Sequence, residues 1–154
     1  MLFAGAVLLS SCNKIFPDKR DSFLPDETVY INVSSTVVTP DVESGTYEIS
    51  IIKSGKGYCE ADVALTLDPD ALDNYNAAHG TAYVMVPENL LEEFPESAIH
   101  FSKKDVRRTA VISWNPTALS TYLKLGKYVI PVSISCDGLE VSDTDGFIII
   151  APKR

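Results

Sequence analysis

From Thr28 onward, apolar and polar residues alternate with a period of two. Val29, Ile31 and Val33 take one side, and Tyr30, Asn32 and Ser34 the other. After a turn near Glu43-Ser44-Gly45, Tyr47, Ile49 and Ile51 alternate with Glu48, Ser50 and Ile52. After a second turn, Ser54-Gly55-Lys56-Gly57, the residues Ala61, Val63, Leu65 and Leu67 alternate with Asp62, Ala64 and Thr66. Alternation of this kind gives each strand one core face and one wet face. Short strands separated by turn signals predict a sandwich or a barrel.

The period changes in the middle of the chain. Asp68 can cap a helix, Pro69 fits its first position and Gly80 suits its C-terminal stop, so a short helix is expected with Leu72, Tyr75 and His79 on one side. Pro87 to Phe94 is expected to form one or two further helical turns, stopped by Pro95. Strand pattern returns at Ile99 and Phe101. Ser102-Lys103-Lys104-Asp105 then reads as the turn of a solvated hairpin, leading to a strand with Val106, Ala110, Ile112 and Trp114 on one face. Asn115-Pro116 opens another short helical connection, through Leu123 to Gly126. Lys127 to Cys136 is the clearest core strand: Tyr128, Ile130, Val132, Ile134 and Cys136 alternate with Val129, Pro131, Ser133 and Ser135. Pro131 has no N–H for a ladder, so a bulge or an unpaired edge is expected there. After Asp137-Gly138, Phe147 to Ile150 form the last strand. The sum is a mostly β, immunoglobulin-like antiparallel β-sandwich of about seven strands, with two or three short helical connections.

Composition adjusts this picture only slightly. A chain of 154 residues fits one domain, and 45% hydrophobic residues is an ordinary globular share. The formal net charge of −8 sets nucleic acid aside as a partner, because affinity for a phosphate backbone rests on cationic contacts. The basic clusters, Lys103-Lys104 and Arg107-Arg108, flank Asp105 and read as solvated.

The N-terminus reads as an address. Leu2 to Leu9 is an apolar run of signal-peptide length, too short to span a bilayer. It leads into Leu9-Ser10-Ser11-Cys12, which resembles the bacterial lipobox, in which a branched aliphatic and two small residues precede the cysteine that is acylated before cleavage. Residues 1–11 are therefore expected to be a lipoprotein signal peptide, 12–27 a lipidated tether and 28–152 the sandwich domain. No positive residue precedes Leu2, so the true start of the signal peptide is expected upstream of Met1. Lipidation at Cys12 would make the membrane a partner through the anchor.

Three stretches carry a family resemblance: Tyr47 to Gly55 followed by Val63 to Asp68, then Leu72 to Leu90, then Tyr128 to Ser135. The second is the most specific, through Tyr75, Asn76, Thr81, Tyr83 and Pro87. Together they resemble the immunoglobulin-like N-terminal module of Bacteroidetes surface lipoproteins, domain-of-unknown-function family 1735. The resemblance implies an outer-membrane, lipid-anchored protein on the cell surface, with the periplasmic face as the other placement, often encoded in polysaccharide-utilisation loci. It also implies an accompanying C-terminal module; Arg154 falls just past the last expected strand, so a minimal or truncated member is expected.

Enzyme chemistry finds little support in the residues. His79 and His100 stand in no metal-ligand spacing and have no Cys/His or Ser/His pattern around them. Asp143-Thr144-Asp145-Gly146 lacks the distal bidentate Glu of a calcium loop and reads as a polar turn. Glu92-Glu93 and Glu96 read as solvated. Neither a catalytic residue, a metal nor a cofactor is expected.

Sugar binding calls for aromatic surfaces with amide or carboxylate neighbours. Trp114 with Asn115, Tyr122, and Tyr75 with Asn76 are the candidates. Against them, Trp114 shares the parity of Ile112 and Ala110, a core assignment, and Tyr75 has helical spacing from Leu72. Cys59 and Cys136 share the inward parity of their strands; an exported protein permits a disulfide between them, although two buried thiols fit as well. The function expected is a non-catalytic, lipid-anchored surface module that binds or helps present glycan in polysaccharide utilisation. The alternative is a structural spacer or protein-interaction domain of a cell-envelope lipoprotein, with polysaccharide or another envelope protein as partner.

Overall fold

A computed structural model describes residues 27–55 and 59–154. The expected signal peptide, Cys12, nearly all of the tether and part of the 54–57 turn lie outside the described residues. The elements run β1 (Thr28–Ile31), β2 (Val37–Val38), β3 (Thr46–Ser54), β4 (Ala61–Leu67), α1 (Pro69–His79), β5 (Val84–Met85), β6 (Leu91–Glu93), β7 (Ile99–Phe101), β8 (Arg107–Trp114), α2 (Pro116–Leu123), β9 (Tyr128–Asp137), β10 (Glu140–Val141) and β11 (Phe147–Ile150), with single 3₁₀ turns at Val42–Ser44 and Glu88–Leu90.

One sheet has the order β10-β1-β3-β8-β6 and the other β2-β11-β9-β4-β7, with β5 added beside β9. The long pairs are antiparallel: β3 with β8, β4 with β9, and β11 with β9. β10, β2 and β5 join in parallel, each through a two-residue ladder. Among the described residues, the outermost strand on each side of both sheets is two or three residues long. The core lies between the sheets. Val29, Ile31, Ile49, Ile51, Ala110, Ile112 and Trp114 come from the first sheet; Val63, Leu65, Phe101, Ile130, Val132, Ile148 and Ile150 come from the second.

This is the sandwich class that the alternation predicts, and several details differ. Six strands (β1, β3, β4, β8, β9 and β11) reach four residues or more, and short ladders raise the total among the described residues to eleven. Pro87 to Phe94 supplies one helical turn, the 3₁₀ turn Glu88–Leu90, and then β6 in place of a second turn, because Leu91 to Glu93 pair with the edge of β8. The Lys103-Lys104 turn closes no hairpin: β7 belongs to one sheet and β8 to the other, so the turn crosses between layers. Val106 precedes β8 and is exposed, whereas Ala110, Ile112 and Trp114 are buried.

Strand β9 departs from simple alternation. Val129 to Val132 are all buried. The outer face of β9 and β11 is covered at this end by α1, whose Leu72 packs with Val129 and Ile149 in a second, smaller core. A strand covered on both faces loses its polar row. Pro131 occupies a central strand and still breaks no bond. Its missing N–H falls where β4 ends and α1 begins, and its carbonyl accepts from Asp68 N at 3.1 Å. The expected unpaired position is present, but it is not at a sheet edge.

Lys53 has no counterpart in the sequence reading. It continues the inward row of Ile49 and Ile51 and is only 3% exposed. Its Nζ donates to three backbone carbonyls: Cys59 at 2.6 Å, Ser102 at 2.8 Å and Lys103 at 3.1 Å. A buried ammonium is tolerable only with such partners. It fastens the loop before β4 to the turn after β7.

Candidate ligand cleft

The cleft is assembled by the segment that follows α1. Asp68 caps that helix, with Oδ1 accepting from Ala71 N at 2.9 Å and Oδ2 accepting from Ser133 Oγ at 2.6 Å, which ties the helix start to β9. Gly80 ends it at φ 64°, a left-handed conformation that favours glycine. Asn76 then holds the returning chain. Its Oδ1 accepts from Thr81 Oγ1 at 2.7 Å and Tyr83 N at 3.0 Å, and its Nδ2 donates to the Tyr83 carbonyl at 2.9 Å. Tyr83 is thus fixed through both backbone groups immediately before β5 pairs with the start of β9.

Beside it opens a cleft of about 290 Å³, lined by Tyr83, Leu123, Gly126, Lys127, Tyr128, Val129 and the segment 151–154. Rings back it on two sides. Tyr75 lies 6.3 Å from Tyr83 and stacks on His79 at 4.0 Å and 15°. Tyr122 meets Tyr128 edge-on, at 5.2 Å and 83°. Gly126 leaves the Tyr128 ring uncovered: a Cβ there would stand 3.5 Å from its Cε2 atom.

The structure sorts the sequence candidates accordingly. Trp114 is 1% exposed, and its Nε1 donates to the Val42 carbonyl at 3.0 Å, so no sugar can stack on it. Its core parity decides its place. Asn115 is the N-cap of α2, with Oδ1 accepting from Ala118 N at 2.9 Å and Nδ2 donating to Glu92 Oε1 at 3.2 Å. It stands at the far end of that helix from Leu123, which lines the cleft. The Asn76 amide is committed to holding Tyr83. Tyr75 and Tyr122 are half-buried and support the cleft rings from behind. The sequence reading missed Tyr83, Lys127 and Tyr128 as lining residues. Tyr83 stood in it only as part of a family signature, and Tyr128 only as a core-strand residue.

Other polar groups assemble little. His100 Nδ1 lies 2.9 Å from Asp62 Oδ1, with both side chains more than half exposed. In the 142–145 turn, Asp145 Oδ2 accepts from Thr144 Oγ1 at 2.8 Å. Among the described residues, no group of three or more His, Cys, Asp or Glu side chains is placed to hold a metal ion. Cys59 and Cys136 are both free thiols. Cys59 is exposed, against the inward parity expected of it, because it precedes the first residue of β4. Burial pushes the Cys136 thiol pKa up. No helix among the described residues is long and apolar enough to cross a membrane.

Residues 24–139 match a family defined as an N-terminal domain, and the chain belongs to that family. The resemblance to domain-of-unknown-function family 1735, carried by Tyr75, Asn76, Thr81, Tyr83 and Pro87, holds. No curated protein matches the sequence. Among solved structures, a candidate carbohydrate-binding protein from Bacteroides ovatus ATCC 8483 is similar at TM-score 0.63 and 18% identity, over 82% of this chain and 37% of that one. A multidomain protein including DUF1735 from Bacteroides ovatus is similar at TM-score 0.56 and 20% identity, over 80% of this chain and 43% of that one. EndoBT-3987 from Bacteroides thetaiotamicron, solved with a Man5GlcNAc product, is similar at TM-score 0.53 and 19% identity, over 81% of this chain and 30% of that one. The chain spans 30% to 43% of the length of these proteins. At such identities the likeness is one of fold.

Proposed function

We propose that this chain is a non-catalytic module that binds or helps present glycan, held at the outer membrane through a lipid on Cys12. The observation that carries the reading is the pair Tyr83 and Tyr128 lining one cleft, with Gly126 leaving the second ring uncovered. Tyrosine offers an apolar ring to sugar C–H groups and a hydroxyl to sugar oxygens. A cleft of about 290 Å³ lies at the small end of ligand sites and suits one or two sugar units better than a long chain segment. The names of two fold relatives, a candidate carbohydrate-binding protein and an enzyme solved with a glycan product, support the same direction.

The test is retention of the purified protein in native gels cast with polysaccharides. Gly126→Leu fills the cleft at a position with no left-handed φ, so it leaves the backbone unstrained. Retention that Gly126→Leu abolishes supports the reading. Absence of retention on every polysaccharide tried overturns it. The anchor is tested separately: Cys12→Ala should move the protein out of the membrane fraction, and an unchanged distribution defeats that part.

A second reading, a spacer or protein-interaction face, is favoured by two exposed apolar side chains next to cleft residues, Leu125 at 77% and Val84 at 50%. It predicts that Leu125→Ser weakens co-purification with an envelope partner while polysaccharide retention is unaffected.

A further inference from the structure

We infer that the cleft selects acidic glycan, a sugar chain bearing carboxylate or sulfate groups; this rests on the glycan reading above. The charged residues that line the cleft are Lys127, Lys153 and Arg154, and no acidic side chain lines it. In a chain with 13 basic and 21 acidic residues, three cations and no carboxylate side chain around one concavity is a local reversal of sign.

The two lysines are decisive, because both are exposed and neither ammonium is engaged. The ion pairs among the described residues join His100 to Asp62 and Arg108 to Asp105, away from the cleft. The backbone of Lys153 is fixed by two bonds, N to the Pro40 carbonyl at 2.9 Å and its own carbonyl to Val42 N at 2.8 Å. The carbonyl of Lys127 accepts from Val84 N at 3.0 Å. Both stems therefore leave rigid backbone, and each ammonium is a free donor of three hydrogen bonds.

The net charge of −8 would repel an anion at long range. At physiological salt the Debye length is about 8 Å, so carboxylates farther from the cleft than that are screened; a nearer one is Asp41, the bridge partner of Lys153, whose Oδ1 already accepts from Glu43 N at 3.0 Å. The last turn of α2 also borders the cleft, and two of its carbonyls are engaged: Tyr122 O accepts from Leu125 N at 2.8 Å, and Thr121 O from Lys124 N at 3.2 Å. A sugar ring against Tyr83 or Tyr128 would bring a ring-borne carboxylate or sulfate to the lysines, where charge-assisted hydrogen bonds are stronger than neutral ones.

The experiment compares native affinity gels cast with polygalacturonate, chondroitin sulfate and neutral mannan. The expected result is retardation by the acidic polymers that weakens between about 50 and about 500 mM salt. The double variant Lys127→Gln/Lys153→Gln should bind them about three- to tenfold more weakly, given the modest strength of solvent-facing charge pairs. The control Lys103→Gln/Lys104→Gln removes two exposed cations elsewhere and should leave retardation unchanged. Retardation by mannan alone, or retardation by acidic polymers that the cleft double variant does not weaken or that the control weakens equally, overturns the inference and leaves the glycan reading standing if Gly126→Leu abolishes binding. Absence of retardation in all three gels overturns both.

Discussion

The indole Nε1 of Trp114 donates to the carbonyl of Val42 at 3.0 Å, joining positions 72 residues apart. The backbone N–H of Trp114 also donates to the Gly45 carbonyl at 2.9 Å, so one residue at the end of β8 secures the whole 42–45 turn. Gly45 holds φ 66°, and a Cβ there would meet Pro116 Cγ at 3.2 Å, so a side chain at this position would be strained in backbone and tight in space. Trp114→Phe keeps most of the ring volume and loses the indole bond. Val42 O retains Gly45 N as a donor, so the expected cost is only about 1 kcal/mol. Trp114→Ala should cost roughly 3–5 kcal/mol. Urea denaturation of the two variants checks the ratio, and equal losses would mean that the ring is not packed as described.

Lys53→Met preserves the apolar stem and removes the ammonium from its three carbonyls. The Ser102 carbonyl keeps Asp105 N as a donor at 3.1 Å; a carbonyl left without a donor costs about 1–3 kcal/mol when it stays buried, and less if water reaches it. The expected result is a loss of about 1–3 kcal/mol, with faster amide exchange confined to residues 59–60 and 102–105. Unchanged exchange in both loops would show that Lys53 does not fasten them.

Asn76→Ala removes three hydrogen bonds that close the chain after α1. Stability should fall by about 1–3 kcal/mol, since the freed Tyr83 groups are only partly buried. Glycan retention should fall more steeply than after Asn115→Ala, which loses a helix cap at about 1 kcal/mol and lies away from the cleft. Equal retention in the two variants would remove Asn76 from the cleft's support.

Asp105 carries a pH-dependent share of stability. The Ser102 backbone N–H, donating to Oδ2 at 2.8 Å, holds its carboxyl pKa below the usual range, and the Ser102 hydroxyl and Arg108 act in the same direction. The folded pKa is depressed, so the contribution is present above the unfolded value and is lost as pH falls through the folded one. The melting-temperature gap between wild type and Asp105→Asn should therefore be full at neutral pH and shrink below about pH 3.9. A gap constant across that range would remove Asp105 as the source.

How far the sequence could be read follows from what period-two alternation records. It places Ile49, Ile51, Ala110, Ile112 and Trp114 inward, and all are buried. The same parity carries Lys53 inward, yet its polarity argued the opposite, and only the three carbonyls from distant loops reconcile the two. Alternation puts Val129 and Pro131 on the wet row of β9, yet both are buried, because coverage by α1 is a tertiary fact that no local pattern contains. Leu91 to Glu93 followed helix-like signals and became a strand because an edge of β8 was free to pair. The cleft was the least legible part. Tyr83 and Tyr128 lie 45 residues apart and line one cleft because β5 joins β9 in parallel, through the pair Val84 and Tyr128. Residue types near Trp114 and Asn115 looked chemically apt, but both side chains are occupied in holding the fold.

The brevity of the outer strands bears on how copies of this protein behave when concentrated. β10, β6, β2 and β7 each offer at most three residues of ladder to a neighbour. A longer free margin would invite a second molecule to continue the sheet. Crowded copies can therefore sit shoulder to shoulder without zipping into fibrils through these margins, and association at high density would have to proceed through side-chain surfaces such as the one around Leu125.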